Sequence, residues 1–285
     1  MVTELGPATP LVSDLAFPED PRWHKNRFYF ADMLDRKVRR IEPDGTITEI
    51  VTIEDSPSGI GFLPNGDLLL VSMYHELVLR VDAGGTTTVH ADLGPLTGAG
   101  INDMAVDREG RAYVVQFGED PTEPAVPSPI ILVQPDGRIG KASNEGLLIG
   151  NGIRITDDGK TLVVAESAGK CISLFDIASD GSLSNRRVVP LPPDHFPDGI
   201  CLDAKGGIWV SCLWLGVIRI LHDGTVTHRI APEPDRSVYA CMYGGADRTT
   251  LYLCTGGPYD NERARVTRAG RIDTIVTGFT GEGLD

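Results

Sequence analysis

Asn151-Gly152-Ile153-Arg154-Ile155, followed by Asp158-Gly159 and then Leu162-Val163-Val164, reads as a polar head, a small residue, an apolar strand, a tight turn and a second apolar strand. The phrase recurs along the chain. Ser58-Gly59-Ile60-Gly61-Phe62 leads through Asn65-Gly66 into Leu68-Leu69-Leu70-Val71, and Asn102-Asp103-Met104-Ala105-Val106 leads through Glu109-Gly110 into Ala112-Tyr113-Val114-Val115. Asp198-Gly199-Ile200-Cys201-Leu202 leads through Gly206-Gly207 into Ile208-Trp209-Val210, and weaker copies begin at Glu19 and Tyr239. The heads fall 39 to 49 residues apart, about one four-stranded blade each. Turns such as Pro43-Asp44-Gly45 and Pro135-Asp136-Gly137 supply the third and fourth strands. The expected fold is an all-β, six-bladed β-propeller built by residues 1–285 as a single domain. The last unit has room for three strands and ends near Ile275-Val276, so residues 8 to 15 are predicted to complete that blade and close the ring.

Composition agrees with this reading. The 33 glycines and 20 prolines suit many tight turns, and no stretch longer than about ten residues has a helical period, which disfavours an α/β barrel. A formal charge of −14 argues against nucleic acid or an anionic membrane as partner. The five cysteines form no C-x-x-C pair, so neither a disulfide framework nor a zinc cluster is signalled. Residues 1–6 lack a basic segment followed by an apolar core, and nowhere do about 18 apolar residues run together. A cytoplasmic monomer or small homo-oligomer is expected.

The first strand of a propeller blade is innermost, so equal positions of the repeats face one axial channel. Read round the ring, the heads are Glu19, Ser58, Asn102, Asn151, Asp198 and Tyr239. Two carboxylates in a partly desolvated channel repel each other unless a cation or a proton lies between them. With two carboxamides they form an all-oxygen set that favours Ca²⁺, Mg²⁺ or Mn²⁺, with Zn²⁺ or Fe²⁺ open for a looser site. Singly, each residue has an ordinary reading: Pro197-Asp198-Gly199 is a turn sequence, Asn151-Gly152 a common turn pair, and Glu19 a loop charge. Four such residues at one repeat phase argue for one bound divalent cation, with Ca²⁺ foremost.

These residues give the chain a resemblance to the SMP-30/gluconolactonase/luciferin-regenerating-enzyme-like propellers. It is carried by Glu19-x-Pro21-x-Trp23, by Asn102-Asp103 with Asp107 and Gly110, by Asn151-Gly152-Ile153, and by Pro197-Asp198-Gly199-Ile200 with Asp203, in that order over essentially the whole length. The resemblance implies a divalent cation, usually calcium or zinc, held by Glu19, Asn151 and Asp198. It further implies that Asn102 contacts the site through water or substrate, that Asp198 is the base, and that the activity is that of a lactonase. Two positions depart from the pattern. Gly100 stands where sugar-lactone hydrolases of this kind carry an arginine, which implies a less hydroxylated substrate. Asp20 stands where glycine is usual, and an exposed loop charge is its simpler reading, with tuning of the site as the other.

The expected chemistry is ring-opening of a lactone or small ester: the cation polarises the carbonyl while Asn102 and Asp198 position and activate a water. No Gly-x-Ser-x-Gly elbow offers a covalent route. Phe117, Trp214, Tyr239, Met242 and Tyr259 are predicted to line an apolar pocket. Residues 118–129, with four prolines in twelve, read as a semi-rigid lid or a plain insertion. His195 reads first as a surface histidine and second as a proton shuttle. Two other functions fit the pattern: a metal-dependent arylesterase or phosphotriesterase, and a non-catalytic propeller in which the cation clamps the blades.

Overall fold

The computed structural model describes residues 1–98, 100–117, 125–258 and 261–283. Their strands form six antiparallel blades, whose inner strands are Pro18–His24, Pro57–Phe62, Ile101–Val106, Gly150–Ile155, Pro197–Asp203 and Ser237–Gly244. Each inner strand packs against those of the two neighbouring blades, the sixth returning to the first, so the architecture is an all-β six-bladed propeller. Thr9–Leu15 pairs antiparallel with Gly270–Val276 as the outermost strand of blade six. Blade five carries two additions: Thr3–Glu4 runs parallel to Val226–Ile230 at its outer edge, and Gly281–Glu282 pairs with Leu202–Asp203 at its inner edge. Among the described residues the only α-helix is Asn261–Thr267, and no helix is long and apolar enough to cross a membrane.

The unbroken apolar runs of the repeat follow from burial on both faces of each sheet. In Thr161–Glu166 of blade four, Leu162 and Val164 pack with Tyr113 and Ile130 of blade three, while Val163 and Ala165 pack with Ile208 and Val210 of blade five. The apolar core therefore lies between blades, and the axis is left to polar side chains. The hairpin turns use the expected chemistry: Gly159 has a φ of +70°, and Asp158 accepts the Lys160 N–H at 3.0 Å.

All six inner strands break register against their second strand within one residue of the phrase head: between Glu19 and Arg22, Pro57 and Ile60, Ile101 and Met104, Gly150 and Ile153, Pro197 and Ile200, and Val238 and Ala240. Such bulges re-aim side chains. Here they turn the phrase heads toward the axis. Register also corrects one head. Ser237 pairs with the last residue of its second strand, as Pro197 does, so Val238 rather than Tyr239 is the equivalent of Asp198. Tyr239 occupies the second bulge position, together with Asp20, Gly59, Asp103, Gly152 and Gly199.

Candidate functional site

Close approach of the inner strands gathers the heads. A Cβ at position 152 would lie 2.5 Å from the Ile200 nitrogen and 2.7 Å from the Asp198 carbonyl oxygen. Only glycine lets blades four and five come together there, and that contact brings Asn151 beside Asp198.

Glu19, Asn151 and Asp198 form the upper layer. Glu19 and Asp198 are each 8% exposed. Burial, then the charges of Asp198 and Asp20, push the Glu19 carboxyl well above its usual value. Burial pushes Asp198 up to about 7, against a lowering hydrogen bond from Asn151. Asn151 is held in turn by Ser167, whose hydroxyl lies 3.2 Å from Asn151 Nδ2 and donates to the Pro197 carbonyl at 2.7 Å. Two like charges repel each other here with no basic partner among the described residues, and a divalent cation would remove that conflict. Two carboxylates and a carboxamide suit a hard ion. Among the described residues no three His, Cys, Asp or Glu side chains converge as a ligand group, so amide oxygens and solvent or substrate would have to complete the coordination of any ion held there.

Beside them lie Asp20, Ser58 and Asn102. The Ser58 hydroxyl is 2.9 Å from Asp20 Oδ2 and 3.0 Å from Asn102 Oδ1, and its single proton serves one of them at a time. Asn102 Nδ2 donates to the Gly150 carbonyl at 3.3 Å. Asp20 is no exposed loop charge: the bulge tucks it into the channel at 7% exposure, with its N–H donating to Glu19 Oε2 at 3.1 Å.

The lowest layer was not foreseen. Arg22 Nη2 lies 2.6 Å from Asp103 Oδ1, and Arg154 Nη1 lies 3.2 Å from Asp103 Oδ2, all three side chains being buried. Arg154 also donates to the Pro21 carbonyl at 3.3 Å, tying blade four to blade one. A signal for these residues existed. Arg22 and Arg154 share one strand position, which in the other blades holds Gly61, Ala105, Cys201 and Cys241.

Around the mouth, Trp214 is 60% exposed and packs edge to face on Phe196, with ring centroids 6.4 Å apart. Lys170 Nζ stands 4.4 Å from the centre of the Phe196 ring. Phe117 is half-buried, its N–H donating to the Gly100 carbonyl at 3.3 Å. Tyr239 is buried, its ring 4.5 Å from Phe17 and its hydroxyl donating to the Gly257 carbonyl. Met242 belongs to the core around Trp209 and Tyr243 rather than to a pocket. A cavity of about 440 Å³ opens between Phe17 and Gly257, with Arg236 and Arg263 on its wall. His195 is half-buried, with Nδ1 3.0 Å from the Pro193 carbonyl. Tyr259 and residues 118–124 of the predicted lid lie outside the described residues.

Residues 17–257 match the family model described as the SMP-30/Gluconolactonase/LRE-like region. Regucalcin of Xenopus laevis is 27% identical over 278 residues, covering 93% of this chain and 92% of that protein. Among solved structures, a calcium-binding regucalcin from Agrobacterium tumefaciens superposes with a TM-score of 0.79 at 18% identity, over 100% of this chain and 97% of the other. A gluconolactonase from Xanthomonas campestris superposes with a TM-score of 0.75 at 22% identity, over 95% and 98%. At these identities the two structures establish likeness of fold.

Proposed function

Because the chain belongs to the SMP-30/gluconolactonase/LRE-like family, we propose that it is a divalent-cation-dependent hydrolase of a small ester, with a lactone as leading substrate. The observation that carries the proposal is the pair Glu19 and Asp198, two buried carboxylates that repel each other beside Asn151 and have no basic partner among the described residues. We read residues 1–285 as one functional unit, with Ca²⁺ first among the candidate ions and Zn²⁺, Mg²⁺, Mn²⁺ and Fe²⁺ after it.

Glu19, Asn151 and Asp198 would hold the cation, which when bound supplies Lewis-acid polarisation of the substrate carbonyl. Asp198 is the base. It takes a proton from the attacking water as the water oxygen bonds to the carbonyl carbon, and the proton passes to the ring oxygen as the C–O bond breaks. The product is a hydroxy acid, and no covalent intermediate forms. Asn102, steadied by Ser58 and the Gly150 carbonyl, orients the water or the carbonyl. Trp214 and Phe117 flank the mouth and favour an apolar substituent, while Gly100 offers no guanidinium to a sugar hydroxyl.

Turnover of a lactone panel before and after chelation, repeated on Asp198→Asn and Glu19→Gln, tests the proposal. Loss of activity in all three preparations is expected. Undiminished activity in all three rules it out. Aryl esters and phosphotriesters in the same panel decide whether the lactone assignment should give way to an arylesterase or phosphotriesterase.

A further inference from the structure

The cavity of about 440 Å³ between Phe17 and Gly257 borders the ring of heads between blades six and one. Phe17 is two residues before Glu19, and Gly256 pairs with Ser237 at the start of the sixth inner strand. A Cβ at position 256 would stand 3.1 Å from the Tyr239 ring, which itself packs on Phe17. The thiol of Cys254, two residues before Gly256, feels the charges of Glu19 and Asp20. A ligand held over the heads can therefore extend into this space.

The cavity reverses the sign of the molecule. The chain carries a formal charge of −14, yet among the described residues the charged groups on this wall are Arg236, Arg263 and a single carboxylate, Asp235. Arg236 is the group left short of negative charge. Its Nη2 donates to the Thr255 hydroxyl oxygen at 3.0 Å and to the Ala269 carbonyl at 2.8 Å, both neutral acceptors, and among the described residues its Nε has no partner. The carboxylates whose charge it feels, Glu233 and Asp273, are bound by Arg271 instead, at 2.8 and 2.9 Å. Burial and the like charge of Arg271 lower the Arg236 pKa against the pull of those two groups. A guanidinium in this position binds a carboxylate more strongly than a neutral group.

We propose that this cavity receives an anionic arm of the substrate, so that the favoured lactones carry a carboxylate on a side chain, with Arg236 as its principal partner and Arg263 as a second positive charge. The proposal rests on the hydrolase reading above and names its substrate class. Gly100 offers no guanidinium on the side of blade three, whereas Arg236 supplies one between blades six and one. Trp214 stands over blade five, so an anionic arm and an apolar substituent use different walls of the mouth.

The test uses γ-lactones that carry, on the ring carbon beside the ring oxygen, alkyl chains of increasing length ending in a carboxylate or in the matching primary amide. The corresponding lactams serve as uncleaved probes for calorimetric titration of protein equilibrated with CaCl₂. At its preferred chain length wild type should favour the carboxylate over the amide by about tenfold or more in kcat/KM, expressed in KM, and the lactams should follow the same order in Kd. Arg236→Gln should lower that ratio by about tenfold, while Arg236→Lys, which keeps the charge, should retain most of it. Arg263→Gln, on an exposed helix, should lower the ratio by about threefold and carries the test if Arg236→Gln does not fold. A carboxylate-to-amide ratio within about twofold of one at every chain length overturns the proposal, as does a preference that survives both glutamine variants. Turnover without such a preference removes the arm site and leaves the hydrolase reading. Preferential binding of the carboxylate lactam, weakened by Arg236→Gln but without turnover of any lactone, keeps the cavity assignment and removes the hydrolase reading.

Discussion

Trp209 donates its indole N–H to the Asp203 carboxylate at 2.8 Å, and neither side chain reaches solvent. Arg219 binds both oxygens of the same carboxylate at 2.6 and 2.9 Å, and the backbone N–H groups of Lys205 and Gly207 add 3.0 and 3.2 Å bonds. Burial raises the Asp203 carboxyl, but the bonds and charge of Arg219 outweigh it and hold the group below its usual value. A depressed carboxyl stabilises the fold above its unfolded pKa and stops doing so as pH falls through the folded one. Asp203→Asn leaves Arg219 buried without a counter-charge, at an expected cost of about 3–5 kcal/mol. Urea unfolding at pH 7 reads this directly. The gap to wild type should narrow once the pH drops below about 3.9, and equal stability at pH 7 would show that the cluster contributes nothing.

Gly152→Ala places a methyl group against the backbone of blade five. Overpacking of this kind costs about 1–3 kcal/mol. Gly59→Ala makes the same kind of clash, 2.4 Å from the Met104 nitrogen, between blades two and three. Both should melt earlier, but only Gly152→Ala separates Asn151 from Asp198, so it alone should weaken Ca²⁺ binding strongly. Equal binding losses in the two variants would break the link between this contact and the site.

Asp198→Asn is expected to lower kcat/KM for lactones about 10²–10⁴-fold, the usual contribution of a general base. In the ion-free state, Asp198→Asn and Glu19→Gln each remove one of two repelling charges, so both variants should melt above ion-free wild type. Lower melting temperatures in both would mean that the two carboxylates are already compensated.

Trp214 holds a φ of +63° with its ring largely in solvent. Trp214→Ala should leave stability within about 0.5 kcal/mol of wild type while lowering kcat/KM about tenfold for lactones bearing a long apolar substituent. Unsubstituted small lactones should be unaffected. A uniform loss across both substrates would place the ring in the chemistry rather than at the wall of the mouth.

The six blades were legible because strands such as Thr161–Glu166, buried on both faces, write uninterrupted apolar runs between Asp-Gly turns. The gathering of Asn151 beside Asp198 was legible from repeat phase. What could not be read was the bulge, which changes no residue type and yet decides which side chain points inward. It moved the sixth head from Tyr239 to Val238 and carried Asp20 from a presumed loop surface into the channel. Arg22 and Arg154 were passed over because a charged residue in a strand usually faces water, and only three-dimensional proximity to Asp103 shows that these two do not.

The Arg22–Asp103–Arg154 layer spans three of the six blades and admits almost no solvent. On the hydrolase reading it makes the axis a dead end: a hydroxy acid formed above it must leave by the same opening that the next lactone uses. Bulk added at that opening should slow substrate entry and product release together, whereas a propeller open at both ends would slow entry alone.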